Sequence, residues 1–361
     1  MITRLLQTKI NQYLFRGRVV TLFGARRVGK TTLAQAILAQ HSDKRTRYLN
    51  CDLQSVQRGL SVPEAEPLKA FLGDFDLVVL DEAQNIENAG RILKILADTY
   101  PAMQVIATGS SSFDLANRTG EMLTGRVYPF VLYPLSLQEI AGGAGYSAVE
   151  PKLENLLRFG CYPSLLDVSE EEARLQLDEL VSNYLYKDIL AYAGIRKASL
   201  LADLLRLIAL QVGNEVNYQE LSTSLGVDRK TLTNYLDLLE QSFVIFRLGA
   251  FSRNLRKEIA RSQKIYFYDV GVRNAILQAF APMNLRTDVG AVWENFCIAE
   301  RIKYTAYNGL FANRYFWRTY DQKEIDYIEE RDGRIFGYEF KWNPQRTMRT
   351  PREFLEAYPG S

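Results

Sequence analysis

Residues 24–32 read Gly-Ala-Arg-Arg-Val-Gly-Lys-Thr-Thr, which is the pattern G-x-x-x-x-G-K-T. No other stretch restricts the fold as strongly. The apolar run Val19 to Phe23 precedes it, and a helix-like run from Thr32 to Ala39 follows. Strand, glycine loop and helix in that order make a phosphate cradle. Backbone N–H groups turn inward, and the start of the helix adds the positive end of its dipole. Gly24, Arg26, Gly29, Lys30, Thr31 and Thr32 are therefore candidate nucleotide contacts. Lys30 offers a mobile positive charge to the β- and γ-phosphates, and Thr31 a hydroxyl to Mg2+. The expected ligand is ATP or GTP with Mg2+. Arg26 and Arg27 face either phosphate or neighbouring protein.

Further short apolar runs are strand candidates: Arg47 to Asn50, Leu77 to Leu80, Gln104 to Thr108 and Phe130 to Tyr133. Helical stretches such as Ile92 to Thr99 lie between them. Strands alternating with helices predict an α/β layer with a mostly parallel sheet, whose ligand loops gather at the carboxyl ends of the strands. Leu77-Val-Val-Leu-Asp81-Glu82 then reads as a buried strand delivering two acids to its tip. Asp81 is expected in the Mg2+ shell, and Glu82 is placed to polarise the attacking water. Ser110, at the end of the run from Gln104, is expected to orient the γ-phosphate or that water. Arg126, before the last run, is a candidate arginine finger reaching a neighbouring subunit's nucleotide, with Arg118 as the alternative. Such an arginine is worth about 10³–10⁵ in rate.

The chain has 361 residues, enough for two or three domains. Lys plus Arg is 44 against 42 for Asp plus Glu, so bulk charge predicts neither nucleic-acid nor membrane binding. Cys51, Cys161 and Cys297 are scattered, which argues against a disulfide framework or a thiolate zinc site. No run is apolar and long enough to span a bilayer, and no signal peptide is visible. A cytoplasmic protein without membrane insertion is expected.

After a possible helix from Leu135 to Ile140, the glycine cluster of residues 141–145 reads as a loop and a domain boundary. Helical patterns follow at Lys152 to Arg158, Glu170 to Tyr192 and Leu200 to Val212. Leu221 and Leu225 mark a short helix, and Gly226 makes a turn. Asp228 caps a second helix that turns Leu232, Tyr235, Leu236 and Leu239 inward. Val244 to Leu248 reads as the strand of a winged hairpin. Arg229, Lys230, Thr233 and Asn234 face outward and suit DNA contacts. A winged helix that packs only on protein fits the same pattern.

The tail holds a second constellation. Glu294 lies in a helical run from Ala291 to Glu300, followed by strands at Tyr315 to Arg318, Lys323 to Glu329 and Gly337 to Lys341. Glu339 and Lys341, two apart on a strand, share one side. With Asp326 and Glu294 they form a candidate Mg2+ site for phosphodiester cleavage, in the order of a restriction-nuclease-like core. Structural ion pairs are the competing reading.

The loop at 24–32 is joined by Leu80-Asp-Glu-Ala-Gln84, Thr108-Gly-Ser-Ser111, Gly125-Arg126 with Tyr133-Pro-Leu-Ser136, and Gly160-Cys-Tyr-Pro163. Tyr186-Lys-Asp188, Trp293-Glu-Asn295, and Glu324-Ile-Asp326 with Glu339-Phe-Lys341 complete the set. Over nearly its whole length the chain resembles the bacterial and archaeal AAA+ family that pairs an AAA_14-type ATPase domain with a DUF4143 domain. The resemblance implies an α/β P-loop AAA+ three-layer domain at 1–142. A helical and winged-helix domain at 143–255 and a restriction-endonuclease-like α/β domain at 256–361 are implied after it. Ala25 stands where the family's loop often carries Pro. The chain ends soon after the Glu339–Lys341 strand, where a restriction-like fold usually continues, so that domain is expected to be minimal or incomplete.

The leading expectation is an ATPase using ATP and Mg2+, assembled as a homo-oligomer or ring, that binds or remodels DNA or RNA. The alternatives are a switch or assembly factor acting on a protein partner, with the nuclease-like domain as a scaffold, and an ATP-gated Mg2+-dependent nuclease.

Overall fold

The structure is a computed structural model that describes residues 2–110, 123–185, 198–252, 263–319, 323–343, 345 and 351–358. Arg118, Ser111 and the Tyr186–Asp188 motif lie outside the described residues. The chain divides into two units: residues 1–135 with 241–243, and residues 136–240 with 244–361. The first break between these units falls at 135/136. Ser136 is its physical marker, because it opens the helix Leu137–Ala141 with a reciprocal capping box to Glu139.

In the first unit α1 spans Leu5–Asn11, β1 Val19–Phe23, α2 Lys30–Gln40, β2 Thr46–Asn50, α3 Gln54–Gly59 and α4 Ala65–Leu72. Then come β3 at Leu77–Asp81, α5 at Ala89–Thr99, β4 at Gln104–Gly109 and β5 at Val127–Val131. The strands form one sheet in the order β2-β3-β4-β1-β5, and every pairing is parallel. β1, β3 and β4 are buried along their whole length. That is why they read as unbroken apolar runs rather than alternating ones. Ile92, Leu93 and Leu96 of α5 pack into the same core. The last strand begins at Val127, three residues before the expected start. It is an edge strand that carries an exposed Pro129, so its first half lacks the apolar signature of a central strand.

In the second unit the helices Tyr218–Leu225 and Arg229–Gln241 flank Gly226, which takes the left-handed conformation at φ 65°. Asp228 accepts from Thr231 N at 2.9 Å, as a cap should. Leu232, Tyr235, Leu236 and Leu239 are all buried. β6 (Ile245–Ala250), the expected wing strand, pairs antiparallel with β7 (Gln263–Phe267) and parallel with β8 (Asn313–Arg318). β9 (Glu324–Arg331) and β10 (Arg334–Tyr338) complete a sheet ordered β10-β9-β8-β6-β7. The proposed division at 255/256 therefore falls between two strands of one sheet. The 19-residue helix Val289–Tyr307 buries Val292, Phe296, Ala299 and Ile302. The Gly160-Cys-Tyr-Pro163 motif has a packing cause. Gly160 sits at φ 83°, and a Cβ there would meet Asp269 Oδ1 at 1.9 Å. Asp269 accepts from Cys161 N and caps the helix Val270–Leu277.

Candidate active site

The residues of the glycine loop follow β1 directly. Gly24 has φ 152°, and a Cβ on it would lie 2.2 Å from Leu132 O. Gly29, at φ 97°, is the cap of α2. Lys30 is buried, and its Nζ donates to Gly24 O and Ala25 O at 3.0 Å each. The ammonium thus folds over the loop, at the mouth of the cradle. Thr31 and Thr32 lie in the first turn of α2; Thr32 is exposed. Arg26 and Arg27 are half-buried in the loop, with Arg27 at φ 63°.

The parallel sheet brings the carboxyl ends of β1, β3 and β4 to one edge, and the acids meet the loop there. Asp81 Oδ2 accepts from Thr31 Oγ1 at 2.7 Å and from Tyr48 OH at 2.6 Å, while Oδ1 accepts from Thr108 Oγ1 at 2.5 Å. Thr108 Oγ1 in turn accepts from Glu82 N at 3.0 Å. Glu82 is held in the left-handed region at φ 55°. Its Oε2 accepts from Gln84 Nε2 at 2.5 Å, and Ser110 Oγ lies 3.4 Å from the same nitrogen. Burial and the bond to Asp81 raise the Tyr48 phenol above its usual range, so it stays a donor. Burial pushes the neighbouring Cys51 thiol up to about 12, which leaves it inert at neutral pH.

These groups suit a Mg2+-bound nucleotide. The loop closes only with glycine at position 24, an ammonium is directed at its mouth, and the metal-seeking hydroxyl of Thr31 already rests on Asp81. Arg126 is placed differently. Its carbonyl accepts from Val19 N at 3.0 Å, so it sits at the opposite end of β1 from Gly24, about 16 Å away along the strand. Its Nε bonds Asp98 Oδ1 at 2.6 Å. The fold does not bring it to the nucleotide loop of its own chain.

In the second unit, carboxylate oxygens of Glu294, Glu324 and Asp326 lie within 4.8 Å of one another. Lys341 Nζ is 3.6 Å from Asp326 Oδ2 and 2.5 Å from Glu339 Oε1. The four expected residues are thus gathered. Glu339 and Lys341 lie just past the end of β10 at Tyr338, not on a strand as expected; the ladder to β9 stops at the Tyr338–Tyr327 pair. A cation is already present. Lys264, only 1% exposed, pairs with Glu294 Oε1 at 3.3 Å and with Glu324. Tyr266 OH donates to Glu294 at 2.6 Å. Burial drives the Glu294 carboxyl up to about 7, against the pull of Lys264. Burial also raises Asp326 and Glu339. Burial works to lower the Lys264 ammonium, but Glu294 and Glu324 outweigh it and hold it charged.

Several participants carried no sequence signal. Tyr48 and Lys264 lie on strands with no motif, and only the tertiary fold brings them to the acids. Arg4 precedes α1 and donates to Val28 O and Tyr133 O at 2.6 Å each, which ties the loop to the segment after β5. Thr108 and Glu324 stood within quoted motifs, and the spacing of Glu324 two residues before Asp326 was the available clue.

Comparison with known proteins identifies the domains that hold these residues. An AAA domain of the AAA_14 type matches residues 16–141. Two domains of unknown function match the rest: DUF8612 over 150–282 and DUF4143 over 289–360. An uncharacterized protein of Mycobacterium tuberculosis is 30% identical, covering 98% of this chain and 79% of its own length. Another from Methanocaldococcus jannaschii is 25% identical, over 75% of this chain and 65% of its own. A Walker-type ATPase of Pyrococcus abyssi superimposes with a TM-score of 0.53 at 17% identity. It covers 77% of this chain and 96% of that one, a likeness of fold. The chain belongs to the family of AAA+ ATPases in which an AAA_14-type domain is followed by a DUF4143 domain.

Proposed function

We propose that this ATPase couples hydrolysis to the binding and remodelling of nucleic acid, acting as a homo-oligomer. In the hydrolytic site the loop amides and Lys30 hold the phosphates, and Glu82 accepts the proton of the attacking water. Thr31 and Asp81 would hold Mg2+, which when bound neutralises the charge developing on the phosphates. Arg126 is assigned to the nucleotide of a neighbouring subunit. Its place at the far end of the sheet from its own loop supports that assignment.

The observation that carries the nucleic-acid reading is the surface of the second helix in the helix–turn–helix. Arg229, Lys230 and Asn234 are exposed and Thr233 is half-exposed, while the opposite face is fully buried. Residues 143–255 are read as the winged-helix portion and 256–361 as the restriction-endonuclease-like portion. One observation favours a scaffold role for the latter: the Lys264 ammonium already pairs with two of its three clustered carboxylates.

The test is steady-state ATP turnover on single-stranded, duplex and branched DNA, with each substrate followed on a gel. Stimulation that weakens on Arg229→Ala and Lys230→Ala, with a shallower salt dependence, supports the reading. Turnover indifferent to DNA and RNA favours a switch acting on proteins. Nicking that is lost in Lys341→Ala but kept in Lys30→Ala identifies an independent nuclease.

A further inference from the structure

We propose that Gln84 positions the attacking water together with Glu82. The inference rests on the reading of Glu82 as the base. A carboxylate only accepts hydrogen bonds, so the atom of Gln84 facing Glu82 must be its amide nitrogen. The Nε2–Oε2 distance is 2.5 Å, and the same nitrogen lies 3.4 Å from Ser110 Oγ. That orientation leaves Oε1 as the acceptor of the amide. Oε1 is buried and has no hydrogen-bond partner among the described residues. A buried acceptor left unpaired is costly, and such atoms persist where a catalytic role or a water fills the need.

The surroundings say which donor fits. Glu82 sits in a left-handed backbone conformation that a non-glycine residue rarely adopts, and Thr108 fixes its amide. Glu82, Gln84 and Ser110 therefore converge at the edge of the sheet where the glycine loop opens. Hydrolysis must bring a water to this edge. One O–H of that water donates to the Glu82 carboxylate and the other to Gln84 Oε1, which leaves its lone pair free for the γ-phosphorus. As the new P–O bond forms, the water's proton passes to Glu82. The bond to the bridging oxygen breaks, and its electron pair leaves with ADP. Gln84 keeps its own protons throughout.

The experiment uses the full chain with Gln84→Met, which keeps bulk without polarity, and Gln84→Glu, which keeps an acceptor but loses the donor. Each is measured for affinity toward a fluorescent ATP analogue and for single-turnover hydrolysis across pH. Gln84→Met is expected to hydrolyse about 100-fold more slowly, with analogue affinity within about twofold of the parent. Gln84→Glu, which keeps the acceptor oxygen, is expected to hydrolyse faster than Gln84→Met at equal analogue affinity. Hydrolysis by Gln84→Met within about threefold of the parent overturns the proposal, as does an equal loss of analogue affinity. A Gln84→Glu rate no higher than that of Gln84→Met overturns it as well. Glu82→Gln, run in parallel, separates the two readings: a parental rate there removes the base itself, whereas an inactive Glu82→Gln beside a normal Gln84→Met removes only the role of Gln84.

Discussion

Gly24→Ala puts the smallest side chain at the tightest point of the nucleotide loop. Its Cβ would stand 2.2 Å from Leu132 O and 3.3 Å from Val28 Cγ2. The carbonyl cannot easily yield, because Leu132 N is tied to Phe23 O at 2.7 Å at the end of the β1–β5 ladder. Relief requires a shift of about 1 Å between the loop and β5, and a misplacement of that size costs about 100-fold where geometry governs binding and reaction. The backbone angle of φ 152° adds about 1–3 kcal/mol of strain for any L side chain. Gly249→Ala is the control, since nothing lies within 4 Å of its Cβ. Titration with a fluorescent ATP analogue in millimolar Mg2+, with a thermal melt of each protein, gives both quantities. Gly24→Ala should lose about two orders of magnitude in affinity and melt earlier, with Gly249→Ala unchanged. Analogue affinity within about threefold of the parent in Gly24→Ala would refute the reasoning.

Thr108→Val removes the hydroxyl that joins Asp81 to the Glu82 amide. About 1–3 kcal/mol of stability should go, and turnover should fall by about tenfold or more in a coupled assay; unchanged turnover removes the hydroxyl from the mechanism. Arg4→Ala deletes two donors from the loop and the post-β5 segment, and isothermal titration should show ATP affinity falling about tenfold. Equal affinity would make Arg4 structurally idle. Glu294 carries a folded-state carboxyl raised from 4.5 to about 7. The folded protein thus holds an extra proton between those values, and its stability falls as pH rises through the window, by about 3 kcal/mol at most. Urea midpoints at pH 5 and pH 8 should drop less in Glu294→Gln than in the parent; equal drops contradict the burial of that carboxyl.

β1, β3 and β4 were legible because they are buried along their whole length, and an unbroken apolar run ending in chemistry-bearing residues leaves little choice. Lys30, Thr31, Asp81 and Glu82 could be located for the same reason: a parallel sheet sends every strand tip to one edge. β5 was misplaced because an edge strand with Pro129 does not look like a central one. Gly226 and Asp228 announced the turn between the helices Tyr218–Leu225 and Arg229–Gln241 through local turn and capping chemistry, which sequence carries well. Lys264 could not be foreseen. It lies 30 residues from Glu294 and 60 from Glu324, on a strand whose pairing is set by the whole second sheet. Tyr48 and Arg4 were hidden likewise, since a lone phenol or guanidinium has no motif until the fold supplies its partner.

The central claim is that amides of residues 24–32 and the Lys30 ammonium grip a triphosphate beside Mg2+. Isothermal titration of ATP into the folded chain in millimolar Mg2+, repeated with Lys30→Ala, tests it most directly. Saturable binding near one nucleotide per chain, weakened about tenfold or more in Lys30→Ala, is the predicted result. A folded parent protein with no measurable heat or affinity for either ATP or GTP would contradict it.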